Sequence, residues 1–293
     1  MGHELTLFQY EYMQNALIGA LVIGVAAPAL GIYLVQRRLA LIGDGIGHVA
    51  LTGVGAGLLF GTSPVIMAVI AAVIGAVAIE LIRERGRTSG DLALALLFYG
   101  GIAGGVVLVG LSDSTSANLN AYLFGALTTT SRSDLVTIAV LGVAVLITMI
   151  ALRPALFAVC QDEEYARVSG LPVRALNLLL AVTTAITVTI AMRAVGVLLI
   201  SALMVVPVAT AQQVTRGFRA TMTAAMTLGL FAAGAGIWVA AVADTAPGAS
   251  VVVLAIASFV VITLFAAGWR RIRRTRPEPV PAPEPPEVVL DRS

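Results

Sequence analysis

Nine stretches of this chain are long and apolar, and all but one are free of charge across their middles: residues 13–35, 40–61, 63–82, 90–111, 134–152, 174–192, 195–214, 220–243 and 248–268. Crossing a hydrocarbon core of about 30 Å takes about 20 apolar residues in a helix. In lipid the backbone must satisfy its own hydrogen bonds, which leaves helices or closed barrels. The runs are continuous rather than short and alternating, so the pattern points to helices. Gly and Pro inside them are tolerated in lipid-embedded helices. Composition agrees: 59% of residues are apolar and 12% charged, against about 45–50% and about 25% in globular domains. So little polar surface cannot cover two soluble domains, and the lipid bilayer is the expected solvent. The expected fold class is all-α, a polytopic membrane protein with about nine transmembrane helices.

Arginine sets the expected direction. Cytoplasmic loops carry an excess of Lys and Arg. With the N-terminus outside and nine spans threaded, sixteen of the 18 basic residues fall inside, and only Arg132 and Arg193 fall outside. The topology is therefore N-out, C-in. This divides the chain into an extracytoplasmic N-terminus (1–12), a transmembrane domain (13–268) and a basic, then Pro-rich cytoplasmic tail (269–293). The tail, with six prolines from Pro277 to Pro286, is expected to be extended and solvated. Residues 112–133 lie outside the membrane and hold an apolar patch, Tyr122 to Leu127, which reads equally as a short lid helix or a surface loop.

Several functions drop out. The net charge is +2 with the basic residues at segment ends, whereas a nucleic-acid binder gathers them on one solvated face. Cys160 is the only cysteine, which rules out an intramolecular disulfide or a cysteine metal cage. All 18 basic residues are arginine, so the P-loop lysine is missing and the chain hydrolyses no nucleotide by that route. The first twelve residues hold Glu4 and Glu11 but no arginine, so no cleaved signal peptide is expected.

The exceptional run is the second, which reads LIGDGIGHVALTG from Leu41 to Gly53. Asp44 and His48 are four apart and share one face of a helix. His48 lies ten residues beyond Arg38, about 15 Å along a helix and close to the midplane. Ionisable groups at that depth are costly and tend to be functional or paired. A carboxylate and an imidazole make a mixed ligand pair, imidazole suiting zinc, iron, nickel and copper and carboxylate suiting manganese and also zinc. Alternatively Asp44 only orients His48, or both bond neighbouring backbone. Gly43, Gly45 and Gly47 alternate with the pair and permit either an unwound turn or close helix contact.

Other polar residues have simpler readings. Asp91 after Ser89-Gly90 suits a helix N-cap. Glu80 is placed to pair with Arg83. Asp244, in an Ala-Asp-Thr-Ala-Pro-Gly turn, is a turn carboxylate that would also attract cations at an outer mouth. His3 sits in a polar terminus with no evident role. Pro207 should kink the seventh span. In the cytoplasmic segment 153–173, Asp162 starts a short helix of about two turns, with acids favouring its N-terminal dipole, and Gly170 with Pro172 stops it.

Together these residues carry a resemblance. The stretch from Leu41 to Gly53 resembles the second-span motif of the ABC-3 family, the permease subunits of bacterial zinc, manganese and iron ABC importers. The run from Arg193 to Ala211, the segment from Asp162 to Pro172, and the turn from Asp244 to Gly248 are similar to further family motifs in the same order. The resemblance covers about residues 13–268. It implies a transport subunit of the bacterial cytoplasmic membrane, not an enzyme. The implied partners are a second permease copy, cytoplasmic ATP-binding subunits and an extracytoplasmic metal-binding protein. No cofactor is permanently held: the divalent cation, zinc first and otherwise manganese or iron, is cargo. Asp44 and His48 would line its path, and Glu164, Ala166 and Gly170 would couple to the ATPase. Two departures stand out: the glycine density around Asp44, and Tyr165 in place of a smaller residue. A secondary carrier using Asp44 and His48 as a proton relay is the rival reading, and an odd number of spans argues against it. An intramembrane enzyme would need more reactive groups than two histidines supply.

Overall fold

The structure is a computed structural model that describes residues 11–84, 90–112, 123, 132–194 and 196–274. His3, nearly all of the 122–127 patch and the Pro-rich tail lie outside the described residues, as do the side chains of Asp91 and Arg193. Among the described residues there are eleven helices and no strand: α1 (Glu11–Gln36), α2 (Ile42–Leu59), α3 (Pro64–Glu84), α4 (Gly90–Leu111), α5 (Arg132–Ala151), α6 (Arg153–Gln161), α7 (Glu163–Val168), α8 (Val173–Ala194), α9 (Val197–Val214), α10 (Phe218–Ala243) and α11 (Pro247–Arg274).

Each of the nine apolar stretches is helical. Seven described helices are long and apolar enough to cross a membrane: α1 to α4, α8, α10 and α11. α5 passes only together with α6, across a 66° bend, and α9 offers a shorter apolar stretch, Ile200–Val214. Pro207 lies inside α9, which runs unbroken through it.

α2 sits at the centre, packed against α3, α4, α8 and α9, while α1 packs against α10, α5 and α9. Small residues let these backbones approach closely. Gly24 on α1 meets Gly229 and Ala233 on α10, and Gly31 meets the backbone of Met204 on α9. Tyr33, fully buried, donates its hydroxyl to the Met149 carbonyl at 2.7 Å and sets its ring 5.3 Å from that of Phe218. Threonines on α8 return their hydroxyls to their own helix: Thr184 to the Leu180 carbonyl and Thr187 to the Thr183 carbonyl, both at 2.7 Å. That is how a hydroxyl is satisfied where water is excluded. The outer faces carry apolar stripes at helical spacing, such as Ile66, Ile70 and Ile74 on α3 and Val136, Val140, Val143 and Ile147 on α5. Acyl chains satisfy such stripes in a bilayer.

Candidate functional site

α2 is an unbroken helix from Ile42 through Leu59, so the glycines around Asp44 serve close contact rather than an unwound turn. A Cβ on Gly43 would meet the Ser201 hydroxyl and the Met204 methyl; one on Gly45 would meet Leu94, and one on Gly47 would meet Val197. Asp44 occupies the first turn of α2, where a carboxylate complements the helix dipole, and it is half-buried. His48, one turn on, is 8% exposed. Its ring meets that of Phe98 on α4 edge to face, 4.4 Å between centroids. Its Nδ1 is buried without a hydrogen-bond partner. Buried polar atoms are nearly always bonded, so an orphan ring nitrogen at this depth is the site's most telling atom. Ser201 Oγ is orphaned too, on the α9 face that touches Gly43.

α4 closes over this face of α2. Gly101 lets the two backbones touch: a Cβ there would lie 2.6 Å from the His48 carbonyl carbon and 2.7 Å from the Val49 nitrogen. Thr52 donates its hydroxyl to the Gly101 carbonyl at 2.7 Å. A cavity of about 320 Å³ lined by Leu41, Leu94, Ala95, Phe98 and Tyr99 opens beside Phe98. Among the described residues no group of three or more His, Cys, Asp or Glu side chains gathers to hold a metal ion, so Asp44 and His48 stand as a pair. Phe98, Thr52, Gly101 and Ser201 were not singled out by the sequence, because helix periodicity does not say which neighbour a face meets.

Beside the α1–α2 connector, at the same end of α2 as Asp44, lies segment 153–173, which forms two short helices rather than one. α6 was unforeseen, and α7 spans six residues. Asp162 caps α7, its Oδ1 accepting from the Tyr165 amide at 2.9 Å. Gly170 takes φ +82°, a conformation that favours glycine, with open space where a Cβ would stand. Glu164 is exposed, whereas Ala166 is fully buried and anchors α7 to the body. Tyr165 and Val168 are exposed apolar side chains on α7. Glu163 turns inward: its Oε1 accepts from Asn177 Nδ2 at 2.7 Å, and Arg37 Nη2 lies 3.4 Å from its Oε2. Glu80 is buried and held by Arg83 through bonds of 3.1 and 2.7 Å, the pairing expected from their spacing. Asp244 is exposed and takes the left-handed conformation at the C-terminus of α10, remote in sequence from the α2 pair.

Comparison with known proteins agrees with this architecture. The family model described as the ABC 3 transport family matches residues 9–266. The manganese transport system membrane protein MntC of Halalkalibacterium halodurans is 33% identical over 259 residues, covering 88% of this chain and 89% of its own length. The high-affinity zinc uptake system membrane protein ZnuB of Haemophilus influenzae is 31% identical over 256 residues, covering 87% and 98%. The chelated iron transport system membrane protein YfeD of Yersinia pestis is 31% identical over 259 residues, covering 88% and 86%. Among solved structures, PsaBC from Streptococcus pneumoniae in complex with Fab superposes with a TM-score of 0.83 at 28% identity, covering 93% of this chain and 99% of the other.

Proposed function

The chain belongs to the ABC-3 transport family, and from that premise we propose that it is the permease subunit of an ATP-driven importer for a divalent transition-metal cation, with zinc as the cargo. The observation that carries the reading is the orphaned Nδ1 of His48, buried one turn from Asp44. Imidazole nitrogen with carboxylate oxygen is a donor set for zinc. Two donors from one chain are too few for tight capture, which suits an ion that must be released. A second permease copy would bring a second pair to the same path. Relatives named for manganese and for chelated iron make those cations the second reading, since both accept the same donor types.

In this reading the N-terminus faces outward and the C-terminus the cytoplasm. An extracytoplasmic binding protein delivers the ion to the outer face, where Asp244 would add negative potential. ATP-binding subunits dock on α7, whose Glu164, Tyr165 and Val168 are exposed while Ala166 fixes the helix to the body and Gly170 turns the chain. Closure of those subunits drives the helices between outward- and inward-open arrangements. The chain itself performs no chemistry on nucleotide.

The test is zinc uptake by proteoliposomes holding the assembled complex. His48→Ala should leave assembly intact and lower uptake more than about tenfold, since even groups that only support a metal ligand act on a scale of about 10–100-fold. Wild-type uptake by that variant would remove the assignment. Competition between zinc and manganese in the same vesicles decides the cargo: stronger uptake of manganese would replace zinc.

A further inference from the structure

The five residues between α1 and α2 include one deeply buried cation. The Arg37 side chain is 7% exposed, and burying a charge is costly unless it is paired and hydrogen-bonded. Its partners come from far along the chain. Nη1 donates to Asn177 Oδ1 on α8 at 2.7 Å, and Nη2 reaches Glu163 Oε2, the first residue of α7, at 3.4 Å. Asn177 Nδ2 closes the triangle on Glu163 Oε1 at 2.7 Å. Two more contacts run in parallel. Gln161 Nε2 donates to Gln36 Oε1 at 2.9 Å, and Cys160 Sγ lies 3.8 Å from the Tyr33 carbonyl oxygen. The last turn of α1 and the residue after it are thus strapped to α6 and the start of α7 at three places, Tyr33, Gln36 and Arg37.

The strap continues into α2 through a stiff connector. The Leu39 amide donates to the Leu34 carbonyl at 2.8 Å, the Ile42 amide to the Leu39 carbonyl at 3.0 Å, and the Gly45 amide to the Leu41 carbonyl at 3.2 Å. Seven residues after Arg37 comes Asp44. We propose that Arg37 is a positioning residue that transmits displacement of α7, through Glu163, to the start of α2 and so to the Asp44–His48 pair. This rests on the importer reading above. α7 is two-sided: Tyr165 and Val168 face outward for a docking subunit, and Glu163 faces inward to the cation. The Arg37 side chain is buried while that of Glu163 is 39% exposed, so the pair joins the packed body to the accessible surface of α7, where a docking subunit would push.

The experiment uses the complete complex, with its ATP-binding subunits and binding protein, in proteoliposomes. It reads zinc transported per ATP hydrolysed. Arg37→Gln and Glu163→Gln should each lower that ratio by about 2- to 30-fold, the range over which residues along a coupling route act. Arg38→Gln, at the exposed neighbour, should leave it unchanged. The exchanged pair Arg37→Glu with Glu163→Arg should recover part of the ratio. Should Arg37→Gln fail to assemble, Arg37→Lys, which keeps the charge but not the two-pronged reach, gives the same readout. A wild-type ratio in either single variant overturns the proposal. So does a loss that tracks the melting temperature and is not recovered by the exchange, which would make the triangle a staple only. A wild-type complex that moves no zinc, manganese or iron on ATP would instead overturn the importer reading.

Discussion

Gly100 and Gly101 are consecutive on α4, and the structure assigns opposite signs to the same substitution at the two positions. At Gly101 an added Cβ would stand 2.6 Å from the His48 carbonyl carbon, where ordinary carbon contacts lie at about 3.5–4.0 Å. The obstacle is backbone, so it cannot rotate away. α4 must withdraw by roughly 1 Å, and overpacking of that kind costs about 1–3 kcal/mol. The 2.7 Å bond from Thr52 to the Gly101 carbonyl is stretched by the same movement, at a further cost of about 1 kcal/mol. At Gly100 an added Cβ meets nothing within 4 Å, and replacing a glycine inside a helix by alanine gains roughly 0.5–1 kcal/mol. Thermal unfolding of the detergent-purified chain, followed by loss of the monodisperse chromatographic peak, measures both. Gly101→Ala should melt about 5 °C or more below wild type, at roughly 2–4 °C per kcal/mol for a chain of this size class. Gly100→Ala should melt at or above wild type. If both variants melt together, the backbone contact between α2 and α4 is not there, and the closure of α4 over His48 goes with it.

Two further outcomes follow from the cytoplasmic end. Burial pushes the Cys160 thiol from 9.0 up to about 11, with Arg37 pulling the other way and Glu163 adding to the rise. Maleimide at about pH 8 should therefore leave the folded protein unlabelled and label it once unfolded, thiolate being the reactive form. Because the fold favours the neutral thiol, its stabilising share is complete below the ordinary value of 9.0 and disappears as pH rises through about 11; a melting temperature that rises over that interval would contradict the assignment. Gly170→Ala, at φ +82° with open space around it, should cost about 1–2 kcal/mol through backbone strain alone. It should also lower the coupling of ATP hydrolysis to uptake, read as zinc moved per ATP; unaltered coupling would separate the turn from docking.

Much of the architecture was legible because lipid imposes a simple demand. A run long enough to cross must be apolar and helical: the nine apolar stretches form helices, and seven described helices are long and apolar enough to cross on their own. Local polar chemistry was legible too: the Asp162 cap, the Glu80–Arg83 pair and the glycine stop at 170 are decided within a few residues. What stayed hidden depends on distant partners. Arg37 entered only as a positive charge marking the inner side, yet its partners lie 126 and 140 residues away. Adjacent glutamates 163 and 164 read alike in sequence, and only the fold turns one inward. Asp44 and His48 were marked by their rarity inside the apolar runs. Phe98, which covers the imidazole, is one apolar residue among many on a helix that is apolar all round, where no stripe betrays a face.

The contact between Gly101 and His48 ties two variables into one. The imidazole is roofed by a side chain of α4, and its own carbonyl is pressed by a glycine three residues further along that helix. α4 therefore cannot tilt off α2 without baring the ring, nor can the ring be reached from that side while α4 stays down. Exposure of a single nitrogen and the inclination of a whole helix become readings on the same dial, so a label reporting one reports the other.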